Sequence, residues 1–170
     1  MDAYLAVVSK REVRKYAPTR IDEGAERRIL QAGRVAGSSK NRQARRFVVL
    51  RDRALVQQTA DGVYAPENVL GAALVVAIVV GGKGPTSFDA GRAAQNMMLA
   101  ASSEGIGSCP NGVADAAALQ SAVGHDEGEQ VATVLTFGHP ATPRDPERLS
   151  AQEWIARADR RRYEEIVQER

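Results

Sequence analysis

The chain has 170 residues, 44% of them hydrophobic and 26% charged, and a net charge of +2, which is ordinary for one globular domain over residues 1–170. Its single cysteine, Cys109, excludes an intrachain disulfide and fits a reducing compartment, and its longest apolar run, residues 72–80, is too short to span a bilayer. Residues 1–53 carry 14 Lys and Arg against 6 Asp and Glu, whereas residues 54–143 carry 2 against 8.

The pattern of apolar and turn residues predicts three strands and five or six helices. In the first half we expect helices over residues 2–8, 22–36 and 53–59, and strands over residues 46–51 and 73–81. In the second half we expect a long helix from Thr86 to before Gly105, an extended segment at 106–112, a helix at 114–123, a strand at 129–137 and a capped helix from Ser150 to about Gln168. Strands separated by helices favour an α/β or α+β fold around a mainly mixed sheet.

Motifs that would mark other chemistries are absent from the sequence or weak. The glycine-rich stretches at residues 81–85 and 105–107 fit neither a phosphate-binding P-loop nor a dinucleotide fingerprint. Two histidines and one cysteine give no metal-ligand pair, and no G-x-S-x-G sequence marks a nucleophile, although a Ser-His-Asp triad stays open. The basic first third lacks interleaved aromatic residues, which disfavours a nucleic-acid binder. We therefore expect no metal site, no nucleic-acid partner and no membrane partner.

Two polar stretches stand out near the start of the chain. A cationic segment, residues 9–16, gathers Lys10, Arg11, Arg14 and Lys15 around Glu12. A polar loop, residues 37–43, holds small hydroxyls and amides immediately before a predicted strand. Guanidinium and ammonium groups bind phosphate through charge-assisted hydrogen bonds, whereas neutral donors and acceptors suit the polar edge of a ring. The two stretches together predict a site for an anion that also carries a flat polar ring, although the cationic segment alone could be a solvated face.

Five segments in the same order resemble the FMN-dependent nitroreductase family. They are the cationic segment, the polar loop with Phe47-Val48-Val49, the helix sequence at 89–101, the bend Glu104-Gly105-Ile106-Gly107-Ser108-Cys109 and the strand exit Leu135-Thr136-Phe137-Gly138-His139-Pro140. The resemblance implies an α+β fold with a central mixed sheet flanked by helices. It also implies a homodimer with FMN in a cleft between the subunits and the Ala-rich helix at the dimer core. The single cysteine, which fits a reducing compartment, favours a cytoplasmic location.

The resemblance further implies which residues hold the cofactor. Lys10, Arg11 and Arg14 would bind the phosphate, the ribityl chain and the polar edge of the flavin ring. Glu12 stands where the family usually has a serine that helps to hold the cofactor. The polar loop would reach the flavin from the partner chain through Ser38, Ser39 and Asn41, with Gln43 nearby. The bend Pro110-Asn111-Gly112 would lie along the ring, and Arg144 and Arg148 would close over the phosphate.

Three departures from the family pattern bear on function. Glu12 would repel phosphate unless it pairs with Arg11 or Arg14, Ala44-Arg45 replaces Pro-Trp, and the stretch from Thr59 to Gly71 is short where relatives build a substrate pocket. The sequence therefore predicts a flavoprotein that passes electrons from NADH or NADPH to a nitroaromatic, quinone or similar small acceptor, with no catalytic side chain. The alternative is a flavin-binding or sensing module of the same fold with little or no turnover.

Overall fold

The computed structural model describes residues 2–170, which form two compact units. The larger unit is Glu12–Arg144, and the smaller unit comprises the residues up to Arg11 together with Asp145–Arg170. Within residues 2–170, every helix is too short or too polar to cross a lipid bilayer. The two units are described one at a time.

A four-stranded sheet forms the centre of the larger unit. Its strands are β1 (Arg45–Leu50), β2 (Leu74–Gly81), β3 (Gly107–Asn111) and β4 (Glu129–Gly138), in the order β1-β2-β4-β3. Every pairing between these four strands is antiparallel, so the expectation of a mixed sheet is wrong for the described residues, whereas the α+β class is confirmed. Helices between strands suggested parallel crossovers, but an antiparallel neighbour can also be reached through intervening helices, as β2 is from β1 through α3 and α4.

One face of the sheet packs against two helices. These are α2 (Glu23–Arg34), which begins at its N-cap Asp22, and α5 (Thr86–Ser103), the long helix predicted from the sequence. Side chains of alternate β2 residues, including Val76 and Ile78, meet Ile29 of α2 and Met97 of α5 in one buried cluster. Alternation along a strand sends successive side chains to opposite faces, which is how β2 serves two cores at once.

Three shorter helices cover the opposite face. They are α3 (Arg53–Asp61), α4 (Pro66–Leu70) and α6 (Ala116–Val123). Leu119 of α6 and Val69 of α4 are fully buried against Ala77 and Val79 of β2. No helix or strand is predicted from the sequence between residues 59 and 73, where Pro66 suggests a loop. Pro66 instead occupies the first turn of α4, where proline is favoured because its missing N–H has no intrahelical partner there.

The smaller unit contains three helices: α1 (Ala3–Ser9), α7 (Ala151–Ala156) and α8 (Tyr163–Ile166). The predicted capping box is present, since the side chains of Ser150 and Glu153 each bond the backbone N–H of the other. The continuous helix expected through Gln168 is wrong, because the chain leaves the helix after α7 and Asp159 adopts φ of 49°. Short helices depend on tertiary burial, and residues 159–170 are all exposed.

Candidate functional site

The second half of the cationic segment lies along β3 and the exit of β4. The backbone N–H of Val13 donates to the carbonyl of Ser108 at 2.9 Å, and that of Ala17 donates to His139 at 2.8 Å. Gly107 allows this close approach, because a Cβ there would lie 2.6 Å from the Cβ of Val13. Val13 is therefore buried while Arg14 and Lys15 stay exposed beside it.

Four charged side chains line one open cleft of about 300 Å³ in the larger unit, which we call the cationic cleft. Glu12, Arg14 and Lys15 form one wall, and the segment from Pro140 to Arg144 forms the other. The structure thus brings three of the predicted site residues together, Glu12, Arg14 and Arg144, and adds Lys15 to them. Three cations and one carboxylate leave a positive balance suited to a phosphate monoester.

The half-buried Tyr16, at the end of the cationic segment, contacts β4. The Tyr16 hydroxyl lies 2.9 Å from Oγ1 of Thr136 in β4, and its ring packs over Gly138, where a Cβ would come within 2.8 Å of it. Burial raises the pKa of the Tyr16 phenol from 10.0 to about 12, against the smaller lowering effect of its hydrogen bond to Thr136. The phenol is therefore a neutral structural group near neutral pH.

The predicted ring-binding bend is the last part of strand β3 and the residue after it. Pro110 and Gly112 are exposed, but Asn111 is buried and its Nδ2 donates to the carbonyl of Val134 at 3.0 Å. Its Oδ1 accepts from Nδ2 of Asn68 at 2.9 Å. The Asn111 side chain is therefore part of the core, and only Pro110 and Gly112 present this strand to a ligand.

The polar loop makes a short 3₁₀ turn, Ser39–Asn41, between α2 and β1. Lys40, Asn41 and Gln43 have φ values of 51°, 52° and 53°, in the left-handed region that non-glycine residues rarely occupy. The hydroxyl of Ser38 accepts the Gln43 N–H at 2.9 Å, closing the loop on itself. Such conformations cluster at functional sites, where the surrounding structure holds them.

The remaining predicted residues, Lys10, Arg11 and Arg148, belong to the smaller unit. The Arg11 guanidinium donates to the carbonyls of Val8, Lys10 and Trp154 at 2.7, 2.9 and 2.8 Å, and lies 5.4 Å from the centre of the Trp154 ring. Lys10 is half-buried after α1, and Arg148 is exposed at the end of a 3₁₀ turn, Pro146–Arg148. Most of the hydrogen-bonding capacity of Arg11 is thus used within its own unit.

One exposed aromatic residue near the predicted ring site was missed by the sequence reasoning. Tyr64 is 78% exposed, and its backbone N–H donates to the carbonyl of Gly112 at 3.3 Å. Its ring packs so close to Gly112 that a Cβ on that glycine would lie 3.2 Å from the ring. It belongs to the short stretch between Thr59 and Gly71. A lone tyrosine in a loop carries no periodic signal, so only the three-dimensional contact with Gly112 identifies it.

A second and larger groove, about 930 Å³, runs between α5, α6 and the first half of β4. Small side chains such as Ala90, Ala94 and Ala117 line it, and Pro110 of β3 lies at its edge. Ala90, Ala94 and Ala101 of the Ala-rich α5 also belong to the core cluster that packs against β2. Within residues 2–170, no three His, Cys, Asp or Glu side chains are grouped so that they could hold a metal ion.

Comparison with known proteins agrees with this geometry. The family model described as "Nitroreductase family" matches residues 7–80 and 85–139 of the chain. A protein of Archaeoglobus fulgidus, provisionally named NADH dehydrogenase/NAD(P)H nitroreductase, is 29% identical over 168 residues, which cover 87% of this chain and 96% of that protein.

Solved structures share the fold over almost the whole chain. A nitroreductase-like protein from Desulfovibrio desulfuricans, in complex with FMN, superposes with a TM-score of 0.84 at 27% identity, covering 100% of this chain and 98% of the other. A nitroreductase family protein from Clostridium difficile 630 gives a TM-score of 0.83 at 18% identity, covering 99% and 98%. The NADPH:FMN oxidoreductase of Vibrio harveyi, complexed with NAD⁺, gives 0.76 at 24% identity, covering 81% and 68%. The family resemblance read from the sequence is confirmed.

Proposed function

Because the chain belongs to the nitroreductase family, we propose that it is an oxidoreductase that binds FMN and passes electrons from NADH or NADPH to a small acceptor such as a nitroaromatic or a quinone. The observation that carries the proposal is the cationic cleft, a space of about 300 Å³ that is lined by Arg14, Lys15 and Arg144. The FMN complex of the Desulfovibrio desulfuricans relative supports the choice of cofactor.

The donor set on this chain fits FMN. The guanidinium groups of Arg14 and Arg144 suit the phosphate. At the end of β3, Pro110 and Gly112 are exposed, so a flat ring could lie against the backbone there. Lys10, Arg11 and Arg148 stay predicted FMN ligands on the basis of the family resemblance. When bound, FMN supplies the hydride- and electron-transfer chemistry itself, so no side chain need act as a nucleophile.

A homodimer with FMN at the subunit interface is part of the proposal. In it, Ser38, Ser39 and Asn41 of the polar loop reach the flavin of the partner, and α5 packs at the dimer core. The exposed face of α5 supports this, because Phe88 is 67% exposed there with the Arg92 guanidinium 5.9 Å from its ring centre. We place this one FMN-binding domain, residues 1–170, in the cytoplasm, where buried Cys109 would stay reduced.

The visible spectrum of the purified protein tests the proposal directly. We expect a bound-flavin absorption band that bleaches when NADH or NADPH is added without oxygen. Arg14→Ala and Arg144→Ala should each weaken FMN binding by about tenfold, whereas the exposed Arg53→Ala on α3 should leave it unchanged. A colourless protein that cannot be reconstituted with FMN would contradict the proposal.

The alternative, a flavin-binding or sensing module with little turnover, is favoured by the position of Glu12. Its carboxylate lines the same cleft as the three cations and reduces the positive potential there. Flavin that binds but is not reduced by either nicotinamide under anaerobic conditions would select this alternative. Recovery of reduction in Glu12→Ser would identify the carboxylate as the cause.

A further inference from the structure

The buried face of α5 carries a single charged side chain, Asp89, among alanines and methionines. Asp89 is 8% exposed, and its Oδ2 accepts the backbone N–H of Ser39 at 3.0 Å. Burying a carboxylate is unfavourable unless directed hydrogen bonds replace its hydration. The contact to Ser39 therefore joins α5 to the middle of the polar loop, which lies 50 residues earlier in the chain.

The loop needs such an external contact because its own conformation is unfavourable. Lys40 and Asn41, directly after the contact, and Gln43 just beyond them all have φ near 50°. Within the loop, the hydroxyl of Ser38 bonds the N–H of Gln43. The Ser39 N–H points away from that closure and toward α5, so the carboxylate determines where the strained turn sits on the helix.

A second contact from the same helix agrees with this arrangement. Arg92, three residues after Asp89, places its guanidinium over Gly37, where a Cβ would lie only 2.6 Å from it. Residues three apart on a helix lie on the same face. Asp89 and Arg92 thus contact the loop at Ser39 and Gly37, and the absence of a side chain at Gly37 makes room for the second contact.

We propose that Asp89 is a positioning residue that fixes the polar loop so that Ser38, Ser39 and Asn41 can meet the flavin, a role that rests on the proposed function. An acidic residue in the first turn of α5 also favours the helix dipole, but that effect requires neither burial nor a hydrogen bond to another segment. Positioning requires an acceptor atom at one place, whereas the dipole effect requires only negative charge.

Three substitutions separate the two roles. Asp89→Asn keeps an oxygen acceptor in place without the charge, so FMN binding should stay within about threefold of wild type. Asp89→Glu keeps the charge but moves the acceptor by one methylene, and Asp89→Ala removes it; both should raise the FMN dissociation constant by about tenfold or more. Hydrogen exchange of the Ser39 amide should accelerate in the Glu and Ala variants and stay slow in Asn.

The matched control is Asp52→Ala in α3. Asp52 also accepts backbone N–H groups, those of Ala54 at 2.8 Å and Leu55 at 3.2 Å, but both belong to the first turn of α3 and neither to the polar loop. It should lower the melting temperature without changing FMN affinity. Equilibrium dialysis against FMN, with the melting temperature of each variant, supplies the measurements.

The outcomes distinguish this inference from the function on which it rests. If Asp89→Glu binds FMN like wild type while Asp89→Asn does not, negative charge is what matters, and the positioning role is overturned. If all three variants bind FMN normally, Asp89 is only structural. If the wild-type protein itself binds no FMN, both the proposed function and the positioning role toward the flavin are overturned. Faster hydrogen exchange of the Ser39 amide in Asp89→Ala would then show only that Asp89 orders the polar loop.

Discussion

The phenol of Tyr16 couples the cationic segment to the sheet through one hydrogen bond and one close ring contact. Its hydroxyl is hydrogen-bonded to Oγ1 of Thr136, and its ring packs directly on Gly138, which has no side chain to obstruct it. Because burial holds its pKa at about 12, the folded protein binds this proton more tightly than the unfolded chain does.

Tyr16 therefore predicts a loss of stability at high pH. Its contribution should be complete below pH 10, the ordinary pKa, and should disappear as the pH rises through about 12. The free energy of unfolding of wild type and Tyr16→Phe, measured by urea titration at a series of pH values, should converge above pH 10. A difference between them that is constant across this range would contradict the prediction.

Gly107 should tolerate no side chain while Val13 is present. The Cβ of Gly107→Ala would lie 2.6 Å from Cβ and 2.8 Å from each Cγ of Val13, both residues being buried. We expect Gly107→Ala to lower the free energy of unfolding by roughly 1–3 kcal/mol. The double variant Gly107→Ala with Val13→Gly should recover part of the loss, because glycine removes the Cβ and both Cγ atoms of Val13. Strictly additive losses in a double-mutant cycle would argue against a steric clash.

At individual positions, the fold brings part of the predicted set of site residues together. Arg14 and Arg144 were assigned to one phosphate site by resemblance, and both line the cationic cleft. Asn111 belongs to the bend that is predicted to lie along the flavin ring, and the structure turns its side chain into the core. Strand alternation predicts such a buried position only where residues 106–112 are recognised as a strand. The contact between Asp89 and Ser39 joins distant parts of the chain and leaves no local pattern.

Among elements, α1 and α7 are held together through Arg11 and Trp154. The guanidinium of Arg11 bonds the carbonyl of Trp154 and lies against its ring, while the indole N–H donates to Pro146 at 2.7 Å. This arrangement gives Arg11 a structural role inside the smaller unit in addition to the cofactor role proposed for it. A planar guanidinium presents five donors in a fixed fork and can stack on an aromatic ring, whereas a lysine ammonium offers three donors from a single nitrogen.

Arg11→Lys should therefore loosen the pairing of α1 with α7. We expect a loss of about 1.5–3 kcal/mol in stability and a shift in the fluorescence of Trp154, the only tryptophan in the chain. The exposed Arg157→Lys on the same unit serves as the control and should change neither. An unaltered Trp154 emission spectrum in Arg11→Lys would mean that the contact does not persist in solution.

The elements themselves followed the sequence wherever local signals and burial agree. Asp22 caps α2, Ser150 and Glu153 form the capping box of α7, and the buried strand lies at β2. Prediction failed where tertiary contacts decide. Residues 107–111 become a strand because β4 offers them a ladder, and the C-terminal helix breaks because nothing buries its continuation.

For the whole molecule, the uneven charge along the chain is partly balanced inside the larger unit. Arg28 pairs with Glu104 at 2.5 Å and Arg46 with Glu129 at 2.7 Å, so basic residues of the first third meet acidic residues of the middle. Their hydrogen bonds lower the pKa of Glu104 and Glu129. These pairs are partly exposed and contribute little to stability. They neutralise only part of the positive charge of residues 1–53.

The proposed dimer predicts a stability that depends on protein concentration. If folding and association are coupled, the melting temperature should rise between about 1 and 100 μM protein, because association favours the folded state by mass action. Saturating FMN at a hundredfold excess over its dissociation constant should add about 2.7 kcal/mol. A melting temperature that is identical across this range, with a monomeric mass in solution, would contradict the dimer.

The central position of β2 has a consequence for the biosynthesis of the protein. β2 is synthesised with β1 already available, but its other neighbour, β4, begins only at Glu129, about 50 residues later. At ordinary rates of translation, one edge of this apolar strand waits roughly 3–10 s on the ribosome for its partner. A short apolar, β-branched segment without charge is the kind that pairs with other chains, so the nascent protein is most exposed to aggregation during that interval.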